Sequence, residues 1–199
     1  MKKLLIATRN EGKLVEIKKS LEGFDFDVVG LDDIDIPADF DVEEPAMTFE
    51  GNALIKALSY GHKTNLLTLS EDTGLEVDAL NGRPGVYSAR WVNGSDEDRY
   101  IALLKELEGV SHDKMGAQFR TVVALYDPST KKVRTCEGVY RGEIIVIPRG
   151  GEGFGYDPIF LNTELNKTNA EMSVDEKNKV SHRGKALRKA KEILLNEYL

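Results

Sequence analysis

The chain predicts an α/β fold. Three observations carry that reading. A short apolar run opens the chain, a helical apolar repeat follows it directly, and the alternation recurs before a middle section of two-residue periodicity. Lys3 to Thr8 reads as a buried strand. After the loop Thr8-Arg9-Asn10-Glu11-Gly12-Lys13, the residues Leu14, Ile17 and Leu21 recur at helical spacing. Phe26 to Leu31 reads as a second strand, and Ile34 to Ala46, with its acids and two prolines, as a loop. Thr48 to Lys63 reads as a helix with Phe49, Ala53, Leu54, Ala57 and Leu58 on one side. Leu66 to Leu69 is a buried strand ending at Ser70. This order of elements calls for some parallel pairing.

The middle differs. Asn81 to Gly85 is a turn cluster, and Ser95-Asp96-Glu97-Asp98 is a helix start ahead of Ile101, Leu104 and Leu107. Gln118 to Tyr126 alternates as a strand, Asp127 to Thr130 turns, and Val133 to Ile147 returns, which makes a β-hairpin with a long continuation. Ser173 to Glu176 fits a capping box, and Ser181 precedes a last helix with Leu187, Ala190, Ile193 and Leu194 inward. There is no internal repeat or low-complexity linker, so residues 1–199 read as one domain.

Composition narrows the class. Of 199 residues, 41% are hydrophobic and 31% charged, the balance of a folded globular protein rather than a disordered one. No apolar run spans a bilayer, and Leu4-Leu5-Ile6-Ala7 is too short for a signal-peptide core. The lone Cys136 has no disulfide partner, so a cytoplasmic protein is expected, with no membrane partner. The net charge of −7, with 34 acids against 27 bases, argues against a nucleic-acid partner. Charge is also segregated: eleven acids and no Lys or Arg between Glu22 and Glu50, seven bases and no acid between Lys177 and Lys191. Two solvated faces would account for this, as would a metal-holding edge and a phosphate-holding edge.

Five segments carry residues suited to chemistry. The loop Thr8 to Lys13 joins a strand to a helix, where unpaired N–H groups and the positive dipole end suit phosphate. Lys13 adds charge there, and Asn10 can donate to phosphate or ribose oxygens. Glu71-Asp72, followed by Thr73 and Gly74, puts two carboxylates at a strand end. One can hold a hard cation while the other orients or deprotonates water; a solvated turn is the alternative. Glu43 and Glu44, with Asp39 and Asp41 near, could add a carboxylate to the same metal or form a solvated loop. Gly150 to Asp157 has four glycines around Phe154 and Tyr156, a backbone suited to wrapping a ligand, with an aromatic ring for a base. Lys177, His182 and Arg183 can donate to carbonyl oxygens or phosphate.

Taken in order, these segments resemble the inosine triphosphate pyrophosphatase family, the XTP/dITP diphosphatases. The resemblance covers nearly the whole chain. It rests on Ala-Thr-Arg-Asn-Glu-Gly-Lys (7–13), Thr-Phe-Glu-Gly-Asn-Ala (48–53), Glu-Asp-Thr-Gly-Leu (71–75), Pro-Gly-Val-Tyr-Ser-Ala-Arg (84–90), Gly-Phe-Gly-Tyr-Asp-Pro-Ile-Phe (153–160) and Ser-His-Arg-Gly (181–184). Arg9 departs from the glycine or serine more usual there. The resemblance implies an elongated mixed β-sheet of two lobes flanked by helices, with a nucleotide cleft, in a homodimer. It implies a Mg²⁺-dependent hydrolase that converts ITP, dITP and XTP to the monophosphate and pyrophosphate. By position, Thr8, Arg9, Asn10, Glu11, Gly12 and Lys13 would hold the triphosphate. Asp72 would be general base and metal ligand, with Thr73 touching substrate. Phe154, Gly155, Tyr156 and Asp157 would bind the base, completed by Lys177, His182 and Arg183. Glu43 is favoured over Glu44 as a further metal ligand, with Glu71 as another contributor. Two rival classes are a pyrophosphatase acting on other nucleotides and a non-catalytic nucleotide sensor.

Overall fold

The computed structural model describes residues 1–37 and 40–198. Seven strands form one mixed sheet in the order β2-β1-β3-β4-β5-β6-β7. They are β1 Lys2–Ile6, β2 Phe26–Val29, β3 Leu67–Val77, β4 Gly116–Asp127, β5 Lys132–Ile144, β6 Phe160–Asn162 and β7 Lys167–Thr168. The helices are α1 Glu11–Ser20, α2 Phe49–Thr64, α3 Asp96–Glu106, α4 Val174–Val180 and α5 His182–Tyr198. β1 runs parallel to both β2 and β3, in register Leu4↔Val28 and Leu4↔Leu67. β6 is antiparallel to β5 and to β7. Neighbouring β4 and β5 are joined by the short loop 128–131, which admits only a hairpin. The α/β class, the mixed sheet and the parallel start follow the expectation.

By contact density the chain divides into two compact units. The first comprises Met1–Asp72, Thr121–Gly138 and the C-terminal stretch from Arg183. Its β1 is buried on both faces, because alternate residues point opposite ways. Leu4 and Ile6 pack with Ile17 of α1, with Leu21 just after it and with Ala186, Leu187, Ala190 and Leu194 of α5. Leu5 and Ala7 pack with Val29, Leu31 and Tyr60. α2 meets the sheet through small residues, Ala53 and Ala57 both being fully buried. The second unit comprises Thr73–Arg120 and Val139–His182. Its core gathers Leu75, Val77, Leu103, Phe119, Tyr140, Ile159 and Phe160. Of the expected α3 stripe, Leu107 is buried, whereas Ile101 is exposed and Leu103 takes the inward place.

Two elements differ from the sequence reading. β3 does not end at Ser70 but continues to Val77, so Glu71 and Asp72 lie inside a strand rather than in a turn. Both are buried, 2% and 6% exposed, because partners elsewhere in the chain match their charges. β5 stops at Ile144, ahead of Pro148. Among the described residues, no helix is long and apolar enough to cross a membrane.

Candidate active site

In the first unit, the predicted phosphate loop and the carboxylate pair both lie at the carboxyl end of the parallel strands. That is where open α/β sheets place their ligands. β1 ends at Ile6, Ala7 N–H still bonds Leu69 O at 2.8 Å, and α1 starts at Glu11. Asn10 caps α1: its Oδ1 accepts the Lys13 N–H at 2.9 Å, while its own N–H bonds Thr8 Oγ1 at 3.2 Å. The first-turn N–H groups of Glu11 and Gly12 point out of the helix end. Arg9 donates to Phe40 O at 2.9 Å, tying this loop to the acidic segment. The Phe40 ring in turn stands edge-on to Tyr60 at 5.4 Å. Asp39 lies outside the described residues.

Two charge clusters sit behind this loop. In one, Glu71 accepts from Arg183 Nε at 3.0 and 2.9 Å and from Arg183 Nη2 at 2.9 Å, with Lys13 Nζ at 3.4 Å. Arg183 also binds Glu16. Burial pushes the Glu71 carboxyl up, yet Arg183 and Lys13 outweigh it and hold it down to about 2. Burial pushes the Lys13 ammonium below the ordinary lysine range against the pull of Glu71, with Lys56 and Arg183 adding to the depression. In the other cluster, Asp72 Oδ2 accepts from Asn52 Nδ2 at 3.1 Å, and Asp72 Oδ1 lies 3.7 Å from Lys56 Nζ. The same ammonium donates to Glu44 Oε2 at 2.9 Å. Burial raises the Asp72 carboxyl above the usual range, with Lys56 and Lys13 opposing and Glu44 adding to the rise. A carboxylate raised in this way is better fitted to accept a proton near neutral pH.

Asp72 and Glu44 converge on one positive centre, the Lys56 ammonium. Two carboxylate oxygens sharing a cation, beside a phosphate loop, are the donors Mg²⁺ takes from protein. Glu43, the ligand favoured from the sequence, is exposed, while its neighbour Glu44 is the one that reaches Lys56. Glu71, also expected as a ligand, is paired with Arg183 and Lys13, as Asp72 and Glu44 are with Lys56. Lys56 and Asn52 escaped the sequence reading. Their signal was a polar pair at i,i+4 on the otherwise small, apolar inward face of α2.

In the second unit, the glycine-rich loop is tied down rather than free. Gly151 and Glu152 N–H groups bond Ala170 O at 3.2 and 3.1 Å. Phe154 N–H bonds Asp157 Oδ2 at 3.0 Å, and Gly155 N–H bonds Asp96 Oδ2 at 2.6 Å. Gly153 has φ +79°, and a Cβ there would strike Asp157, so only glycine fits. Asp157 is 3% exposed and bound to Lys177 Nζ at 2.5 Å and Asn169 Nδ2 at 3.1 Å. Lys177 Nζ also lies 4.9 Å from the centre of the half-buried Phe154 ring, a cation–π contact. Phe154, Gly155, Asp157 and Lys177 are thus brought together as expected. Tyr156 is 4% exposed, packs in the core and donates to Ser88 O at 2.9 Å, so its ring anchors the loop. Thr73 donates to Arg120 O at 2.9 Å. His182 is buried with its ring stacked on Phe119 at 4.8 Å. Arg183, expected as a donor in the base site, binds Glu71 and Glu16, whose carboxylates match the charge of a guanidinium 1% exposed.

A mixed α/β sheet with a cationic loop and buried carboxylates at its parallel end defines the class, and the match extends to the whole chain. The model of the Ham1 family matches residues 4–193, and the chain belongs to that family. It is 45% identical over 98% of its length to a dITP/XTP pyrophosphatase of Bacillus licheniformis, of which 98% is covered. It is 47% identical, again over 98% of its length, to the dITP/XTP pyrophosphatase of Geobacter sulfurreducens, 97% of which is covered. Among solved structures, a HAM1 protein from Coxiella burnetii aligns with a TM-score of 0.87 at 37% identity, over 98% of this chain and 99% of that one.

Proposed function

We propose that this chain hydrolyses dITP, ITP and XTP to the monophosphate and pyrophosphate with Mg²⁺, removing noncanonical purine nucleotides from the pool. The observation that carries the reading is the convergence of Asp72, Glu44 and Lys56 beside the capped N-terminus of α1. Relatives bearing the name dITP/XTP pyrophosphatase support it. Pure binding needs no general base, so the Glu71-Asp72 pair beside the loop Thr8 to Lys13 disfavours a sensor.

The residues divide the work as follows. The α1 N–H groups and the Lys13 and Lys56 ammonium groups offset triphosphate charge. Asp72, with Glu44, would hold Mg²⁺, whose contribution when bound is to neutralise phosphate oxygens and polarise the bonds to phosphorus. Asp72 Oδ1 orients a water and accepts its proton as the water oxygen bonds to phosphorus. A phosphorus–oxygen bond of the α–β bridge breaks, and pyrophosphate departs with its electron pair. In the base site, Phe154 offers a ring face and Lys177 and His182 offer donors. A 6-oxo purine accepts from them, whereas adenine presents a donor amine and leaves them unpaired. A homodimer, as the resemblance implies, would sediment at twice the 22.2 kDa chain mass.

The test is a nucleotide panel with Mg²⁺, read for pyrophosphate and orthophosphate. Pyrophosphate from dITP, ITP and XTP is expected, and Asp72→Asn should lose on the order of 10²–10⁴ in kcat. Orthophosphate as first product overturns the reaction class, and turnover by Asp72→Asn at the wild-type rate overturns the role of Asp72.

A further inference from the structure

We propose that Asn52 is the positioning residue that seats both carboxylates of the site, Asp72 through its amide nitrogen and Glu44 through its amide oxygen. The inference rests on the reading of Asp72 and Glu44 given above. Asn52 is fully buried in the first turns of α2, so no ligand reaches it. Its Nδ2 donates to Asp72 Oδ2 at 3.1 Å, and its Oδ1 accepts the Ala46 N–H at 2.9 Å. The two bonds fix each other. Turning the amide over would set its oxygen against a carboxylate and its nitrogen against an N–H, so only one orientation satisfies both neighbours.

Each bond has a consequence. With Oδ2 of Asp72 engaged, Oδ1 is the oxygen turned toward Lys56, and the carboxylate plane cannot rotate without breaking the Asn52 bond. With Ala46 held, the chain from Glu44 enters α2 through Pro45, whose ring fixes its own φ. Glu44 is thereby delivered to the Lys56 ammonium rather than to solvent. The platform is itself rigid. Thr48 caps α2 by accepting the Gly51 N–H at 3.1 Å, and Ser70 Oγ of β3 bonds Ala53 O at 2.5 Å. One amide thus joins the strand that bears Asp72 to the loop that bears Glu44, as the outer partners of metal-binding carboxylates do elsewhere.

The experiment compares wild type, Asn52→Ala, Glu44→Gln and Asp72→Asn in two ways. Mn²⁺ binding to nucleotide-free protein is measured by electron paramagnetic resonance, and kcat and KM are measured with dITP. Asn52→Ala is expected to weaken Mn²⁺ binding and to lower kcat, each about 10–100-fold, with KM for dITP near the wild-type value. A folded Asn52→Ala with wild-type Mn²⁺ affinity and kcat overturns the proposal. If Glu44→Gln and Asp72→Asn lose Mn²⁺ while Asn52→Ala keeps it, only the role of Asn52 fails. If neither carboxylate variant loses Mn²⁺, the reading beneath it fails as well. Should Asn52→Ala lose its native circular dichroism, Asn52→Asp replaces it. That variant keeps the shape and the acceptor for Ala46 and removes the donor to Asp72. A wild-type kcat in Asn52→Asp overturns the proposal.

Discussion

Neighbouring acids in this chain meet different fates because each faces a different partner. Glu43 is exposed while Glu44 lies on Lys56; Glu71 is clamped by Arg183 while Asp72 is left with an amide and a more distant ammonium. Adjacency in sequence hides this, since side chains one residue apart on extended backbone point to opposite sides. Glu44→Gln is therefore expected to raise the Mg²⁺ concentration for half-maximal velocity by on the order of tenfold, with Glu43→Gln unchanged. A Mg²⁺ titration of initial rates checks this, and the reverse pattern would return the ligand role to Glu43. Cys136 makes a second case. Burial pushes its thiol up to about 11, and its Sγ donates to Ala186 O at 3.4 Å. A thiol held so far above neutrality carries little thiolate. Its reaction with a disulfide reagent at pH 8 should be slow in the folded protein and fast in urea; rapid labelling of the native chain would contradict the burial.

At the level of elements, β3 marks where the sequence is readable and where it is not. Strand β1, helices α1 and α2 and the β4–β5 hairpin were legible because their apolar periodicity is local. The loop between β1 and α1 was legible for the same reason, since it lies between two such elements. The second half of β3 was not, because Ser-Glu-Asp-Thr-Gly has the composition of a turn. In the strand, Arg183, 112 residues away, offsets the buried Glu71 charge. No local pattern encodes that pairing. The ion cluster also joins β3 to α1 through Glu16 and to the start of α5. Arg183→Ala would strand two buried carboxylates and should cost about 3–5 kcal/mol of stability, read by urea unfolding. The cluster has a pH signature too. Glu71 is held below its ordinary 4.5, at about 2, so its stabilisation is complete above 4.5 and is lost as pH falls toward 2. Glu71→Gln should therefore melt below the wild type at pH 7, with the gap closing through that window. A gap that is constant in pH would mean that folding leaves the Glu71 pKa unshifted.

Across the whole molecule, the residues suited to phosphate and those suited to a base fall in different compact units, each with its own apolar core. Lys13, Glu44, Lys56 and Asp72 belong to the first, while Phe154, Asp157 and Lys177 belong to the second. The reading of function above then separates rate from choice of base. A group that acts on the phosphates meets the same triphosphate whatever the base, so its loss lowers kcat/KM by one common factor. A group that acts on the base changes the ratio between nucleotides, because discrimination is a difference in transition-state binding. Lys13→Ala should accordingly lower kcat/KM for dITP and for dATP alike and preserve their ratio. Lys177→Met keeps the aliphatic stem and removes the donors, and it should reduce the dITP-to-dATP ratio by roughly 10-fold or more. Because Lys177 also neutralises the buried Asp157 at 2.5 Å, a Lys177→Met/Asp157→Asn double variant separates lost recognition from a stranded charge. If the double variant regains thermal stability but not the ratio, Lys177 recognises the base. If it regains both, Lys177 acts only by holding the loop, and the donors that select the 6-oxo group lie in His182 and the loop backbone.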